Sequence, residues 1–409
     1  MSVTAAGRAV RLEEVSDRTL LADLAGAADP RAAYEALRSR WGNVAPVDLE
    51  PGVPAWLALG YDEVTTVLRN EALFARDARH WRYEAERLVA WRSPARAVLA
   101  QRDSAHDRDG EEHRRLRAPL ADLLATLDEQ RLTRTVTVAC RSALDRLRAR
   151  GGGDLVAEYA ADVPVRVLAD LLGLNLADAR RLHELTVTVR AGTEGSYGAS
   201  VEMENLLANV VAGRRAEPGD DLTSALLAHP AHANDLEVMG AVGLLFRTAH
   251  DAEVAWCATT IGRLLTDPGF AGRLHGGRLV LDDALDEIAR TDPPLPHLLP
   301  RYALSDSRVG GQPVAAGDAI VPAVAAANLD RAVQAVDPWE QVDARFHLTW
   351  GAGAHGCPAH RSAPLVTRLV VGHLLAVVAE LELAVPAHDV VPVRSAWVRH
   401  PAALPVRWR

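Results

Sequence analysis

Apolar positions recur at helical spacing over most of this chain, and at strand spacing only in short runs. Asp29-Pro30 opens a helix to about residue 40, an aspartate cap followed by proline in the first turn. AWLAL at 55–59 reads as a strand, and 61–70 as the next helix. Residues 71–110 carry no clear period and predict a long loop with short helical pieces, a kind of loop that often has a function. Helical patterns follow over 111–124, 127–150, 154–172, 176–190 and 201–215, with a flexible connection at 191–200. A turn and cap at 217–222 open a short helix. The 235–265 pattern is the longest, about 46 Å at 1.5 Å per residue. Within it 238–246 is apolar on all sides, and 247–253 interrupts it with polar groups that a buried helix tolerates only when they are paired. A helix at 281–291 stops at Pro293-Pro294, short strands alternate over 298–325, 330–347 is irregular, and a last long helical pattern begins at Pro358. The predicted class is mostly α with a small β region: a loosely held tail at 1–28, then one large domain over 29–409.

Composition narrows the class without naming it. The chain has 409 residues, 49% of them hydrophobic, enough for a large core. A net charge of −9 gives no sign of nucleic-acid binding, and all 45 basic residues are arginine. Three scattered cysteines, Cys140, Cys257 and Cys357, form no C-x-x-C pair and argue for a reducing compartment. The N-terminus has no apolar core of signal-peptide length, and Arg368, His373 and Glu380 interrupt the most apolar late stretch. A soluble, cytoplasmic protein without a membrane span is expected.

The most informative stretch is LTWGAGAHGCPAHRSA at 348–363. Its glycines allow a stiff, tightly bent loop, and Pro358 suits a helix start directly after Cys357. Backbone N–H groups would then face the sulfur and favour a thiolate able to ligate a metal. W-G-x-G-x-H-x-C resembles the F-G-x-G-x-H-x-C haem-binding loop of the cytochrome P-450 family, with Trp350 in the aromatic place. That resemblance implies the P-450 fold, haem b as cofactor with Cys357 as its axial ligand, and Gly351 in the haem-binding loop.

Other landmarks stand in the family's order over roughly 29–409. His113 and Arg117 resemble the H-x-x-x-R helix, Arg301 the R-x-A strand, and His355 lies in the cysteine loop. The resemblance implies that these four hold the haem propionates, anions that arginine and histidine donors suit. Glu287 and Arg290 resemble the E-x-x-R pair, with Arg345 as the third, structural partner. The distal helix departs from the family's A-G-x-(D/E)-T. Thr248-Ala249-His250-Asp251-Ala252 keeps the acid but replaces the threonine hydroxyl, which normally helps in proton delivery, with alanine. Thr248 is the nearest substitute. Ala359, and Ser362-Ala363-Pro364 where the family has L-A-R, are further departures.

Arg247 stands where the family often places an apolar, substrate-facing residue. Either it pairs with Asp251 at i, i+4, or it is a polar or anionic anchor for substrate. Leu244 and His297 are further substrate-side candidates, and His250 is expected to pack rather than to ligate iron. The resemblance thus implies an oxidoreductase tailoring a small molecule, a bacterial secondary metabolite, by dioxygen-dependent hydroxylation or oxidative coupling. A ferredoxin or similar external donor would supply electrons, since the chain shows no flavin or iron–sulfur motif. The alternative is a non-catalytic haem-binding or scaffold protein that has lost its proton relay.

Overall fold

The computed structural model describes residues 11–333 and 347–409. Helices dominate it, and the strands gather at one side. Six short strands form one sheet in the order Thr19–Leu20, Val44–Glu50, Val53–Ala58, Ala319–Pro322, Arg301–Ala303 and Phe74–Ala75. Arg301 therefore sits on an inner strand, opposite Ile320. A second sheet joins Leu381–Leu383, Pro405–Trp408 and Gly152–Asp154.

The long helix Asp235–Thr266 forms as its pattern predicts, capped by Asn234, whose side chain accepts from the N–H groups of Leu236 and Glu237. It runs through the core, and every residue over 253–262 is buried, so all its faces are covered there. The final helix, Ala363–Leu375, packs on it. Thr367 Oγ1 donates to Glu253 Oε2 at 2.7 Å, and Tyr159 Oη donates to the Val370 carbonyl at 2.6 Å.

Four sequence expectations are corrected. The final helix starts at Ala363 rather than Pro358, with Pro364 in its first turn and five turn residues between it and Cys357. Proline is well placed there because the first helical N–H groups have no partner in any case. Residues 12–25 are not a loose tail: Leu12, Leu21 and Leu24 are buried, Thr19–Leu20 joins the sheet, and Arg18 pairs with Asp48. The helix placed at 201–215 begins at Ser196, whose buried hydroxyl donates to the Thr188 carbonyl. The glycines at 151–153, expected only to end a helix, supply an edge strand.

Candidate functional site

The cysteine loop is closed on itself by backbone bonds. Gly351 N–H donates to the Leu348 carbonyl at 2.8 Å, Gly356 N–H to Gly353 at 3.0 Å, and Cys357 N–H to Trp350 at 2.7 Å. Gly353 has φ +71°, and a Cβ there would meet the Leu68 carbonyl oxygen at 2.5 Å, so the loop can lie against the helix Tyr61–Arg69 only with glycine at this position. From below, Asn328 braces the loop: its Oδ1 accepts from Leu348 N–H at 2.8 Å, and its amide donates to Thr349 Oγ1 at 3.2 Å. Thr349 Oγ1 in turn donates to the Ala289 carbonyl on the helix Leu281–Thr291 that carries Glu287 and Arg290. Trp350 packs edge-to-face on Trp256 of the long helix, with centroids 5.6 Å apart.

Burial pushes the Cys357 thiol up, while the Ala359 N–H and the Arg117 guanidinium pull it down. A bound metal cation would favour the thiolate over the thiol.

Cys357 borders a cavity of about 320 Å³, which also receives Gly351 and His355 from its loop and His113, Arg117 and Arg301 from other elements. His113 and His355 stack with ring centroids 4.0 Å apart. Burial, then neighbouring charge, lowers His113 to about 4, and burial lowers His355 to about 3. His355 Nε2 lies 3.3 Å from Asp109 Oδ1, and Asp109 also accepts from the backbone N–H groups of Arg76 and Asp77. Burial opposes ionisation of Asp109, but the His355 contact and those N–H donors outweigh it, so its carboxyl lies well below the usual range. Arg301 is 5% exposed with Nη1 unpartnered, and Arg76 is 2% exposed with Nε and Nη1 unpartnered.

The 248–252 segment borders the same cavity with Thr248, Ala249, Asp251 and Ala252. Thr248 Oγ1 donates back to the Leu244 carbonyl at 2.6 Å, so its hydroxyl is already engaged. Arg247 and Asp251 do not pair with each other. Asp251 Oδ2 takes Nε of Arg190, which ends the helix Leu176–Arg190, and Asp251 Oδ1 lies 3.4 Å from His250 Nδ1. Arg247 turns the other way, with Nη1 3.2 Å from Glu204 Oε1. His250 is buried, stacks on Phe246, and meets His183 Nδ1 through its own Nε2 at 2.6 Å. Leu244 and His297 also line the cavity, but both His297 ring nitrogens are engaged, with Tyr34 Oη at 2.8 Å and the Ala396 carbonyl at 2.7 Å.

No family model matches this sequence. Curated relatives align almost end to end. Nocardicin C N-oxygenase of Nocardia uniformis subsp. tsuyamanensis is 30% identical over 94% of this chain and 95% of its own. Cytochrome P450 105C1 of a Streptomyces species is 30% identical over 93% of this chain and 95% of its own. Among solved structures, CYP154C4 from Streptomyces sp. W2061 superposes with a TM-score of 0.86 at 25% identity, covering 96% of this chain and 98% of that one. The chain belongs to the cytochrome P450 family.

It is an oxidoreductase of that family, and membership implies haem with a cysteine thiolate ligand. The residues present fit such a group. The cavity wall is mostly apolar, a cysteine borders it, and buried guanidiniums with unpartnered N–H groups point to an anion that the protein itself does not provide. Arg76 is a cation of this P450 that sequence reasoning missed; its signal lies in sheet pairing, because Phe74–Ala75 lies alongside Arg301–Ala303. Asp109, Arg190, His183 and Glu204 were missed for the same kind of reason, since each acts across the fold. Among the described residues Glu287 pairs with Arg273, at 2.7 Å. Arg345 lies outside the described residues. No helix among the described residues is long and apolar enough to cross a membrane.

Proposed function

We propose that this P450 binds haem b through Cys357 and oxidises a small molecule by dioxygen-dependent hydroxylation or oxidative coupling, with electrons from a ferredoxin-like donor. The observation that carries this reading is one cavity bordered by Cys357, by the buried Arg76 and Arg301 with unpartnered N–H groups, and by the Asp251–Ala252 stretch of the long helix. When bound, haem supplies activation of dioxygen, which a thiolate ligand favours by donating electron density. His113, Arg117, Arg301 and His355 would hold its propionates, joined by Arg76. Relatives named as a naphthoate hydroxylase and a nocardicin N-oxygenase support a secondary-metabolite substrate.

Protons reach the cavity through Asp251 in this reading. Burial raises its pKa, but Arg190 and His250 outweigh burial and keep the carboxylate ionised. One tautomer set satisfies both histidine contacts: His183 Nδ1–H donates to His250 Nε2, and His250 Nδ1–H donates to Asp251. His183 is only partly buried, and burial lowers it to about 4, so it stays neutral and relays a proton from Nε2 to Nδ1 without storing it. This three-residue line stands in for the missing threonine hydroxyl at Ala252. The rival reading, a haem-binding protein without oxygen chemistry, draws on that missing hydroxyl and on the engaged Thr248.

Reduced holoprotein under carbon monoxide is expected to show the red-shifted band of a thiolate-ligated haem, and Cys357→His to lose it. A fresh wild-type band at the position of histidine-ligated haem would overturn the assignment. With a ferredoxin, its reductase and dioxygen, product formation supports the enzyme. Electron consumption without product across a broad substrate panel supports the rival.

A further inference from the structure

Beside the haem cavity lies a smaller chamber of about 40 Å³. The two share His106, Arg190, Leu244, Thr248 and Leu299 in their walls, and Arg247 lines only the small one. We propose that this chamber receives the acid group of an organic-anion substrate, with Arg247 as its anchor. The proposal rests on the oxidoreductase reading above and names its substrate class.

Charge alone comes close to balancing here. Three arginines, Arg102, Arg190 and Arg247, meet Glu204 and Asp251, and Asp107 also lines the chamber. Hydrogen bonding does not balance, and N–H groups left without partners inside a protein are costly.

The contacts show which guanidinium is short of acceptors. A single oxygen, Glu204 Oε1, serves both Arg102 Nε at 2.6 Å and Arg247 Nη1 at 3.2 Å. Arg102 also donates to the Ala97 and Ala100 carbonyls and to Ser200 Oγ, so four of its five N–H donors are used. Arg247 has only one further contact, Met203 Sδ at 3.7 Å, and its Nε and Nη2 have no partner among the described residues. Arg190 likewise uses only Nε, on Asp251. Burial, then Arg102, lowers Arg247 to about 10, which leaves it cationic at neutral pH.

Room has been left for this guanidinium. Gly243 lies one turn earlier on the helix, and a Cβ there would stand 3.1 Å from Arg247 Nη1, 3.2 Å from Nη2 and 2.9 Å from Leu207 Cδ1. Arg247 precedes Ala252 by about 7.5 Å along the helix axis. An acid held at Arg247 would pass its skeleton between Leu244, Thr248 and Leu299 into the haem cavity, placing the oxidised atom several ångströms from the acid carbon. A neutral ligand would offer Arg247 weaker acceptors than an anion does.

The test uses ferric holoprotein and organic acids paired with their primary amides: 1-naphthoate with 1-naphthamide, indole-3-acetate with indole-3-acetamide, and decanoate with decanamide. Binding is read from the haem absorption shift. At least one acid is expected to bind about tenfold or more tightly than its amide, as a charge-assisted contact implies. Arg247→Gln should erase the preference, Arg247→Lys should keep part of it, and Gly243→Ala should weaken acid binding by displacing the guanidinium. A wild-type protein in which no acid outbinds its amide overturns the proposal, as does a preference that persists in Arg247→Gln. If Arg102–Glu204–Arg247 were only a structural tie, Arg247→Gln would change the melting temperature and leave acid and amide affinities in the same ratio. An intact ferrous–carbonyl thiolate band alongside a failed preference removes this inference alone, whereas a missing band removes the oxidoreductase reading.

Discussion

Asp251 and Arg247 stand one turn apart with opposite charges, yet each takes its partner from another helix. Side chains on a helix lean toward its N-terminus, so Arg247 lies back over Gly243 toward Glu204, while Arg190 reaches Asp251 from across the fold. In the proposed route this separation leaves Asp251 to exchange protons with His250 and His183. Asp251→Asn should lower coupled turnover about a hundredfold, and His183→Phe should lower it less while altering the pH–rate profile. His183→Phe should bind substrate as tightly as wild type, whereas Asp251→Asn frees Arg190 and should bind an acid substrate at least as tightly. Turnover, peroxide release and binding titrations measure the three effects, and an unchanged pH profile in His183→Phe would remove it from the route.

At the scale of elements, the cysteine loop is held more by its neighbours than by its own sequence. Its contacts with the helix Tyr61–Arg69, with Asn328 and with Trp256 fix the position of Cys357. Gly353→Ala would force a Cβ into the Leu68 carbonyl at a positive φ. A loss of about 2–3 kcal/mol in stability is expected, together with reduced haem retention. Thermal melting and the haem-to-protein absorbance ratio measure both. The later helix start at Ala363 also belongs here. The glycine spacing located the cysteine, whereas the turn residues after Pro358 took their path from the cavity wall they form.

The molecule as a whole buries ionisable groups with opposite pH slopes. Burial lowers His183 and His297 from an ordinary 6.5 to about 4. Between those values the unfolded chain binds more protons than the native one, so stability falls as pH drops from about 6.5 toward 4. Burial raises Glu253 from 4.5 to about 8, against the Thr367 bond. There the native state holds a proton that the unfolded chain releases, so stability falls as pH rises from about 4.5 to 8. Glu253→Gln should therefore flatten the basic side of a melting-temperature profile and raise stability at pH 8, and a pH series of calorimetric scans of the holoprotein checks this.

The sequence alone carried whatever depends on neighbours along the chain. The glycine-flanked Cys357, the one-turn spacing of His113 and Arg117, the polar interruption of the long helix and the mostly helical class are all local patterns. Tertiary structure alone decided which charges meet. Arg190 lies 61 residues from Asp251 and Glu204 lies 43 from Arg247, and no periodicity links either pair. The same holds for Tyr34 and His297, 263 residues apart, and for Leu12 and Leu21, whose burial turned an expected tail into part of the fold. In a buried site the group that approaches across the fold competes with the one beside it on the helix. Because desolvated charge is costly, the partner with the better geometry wins.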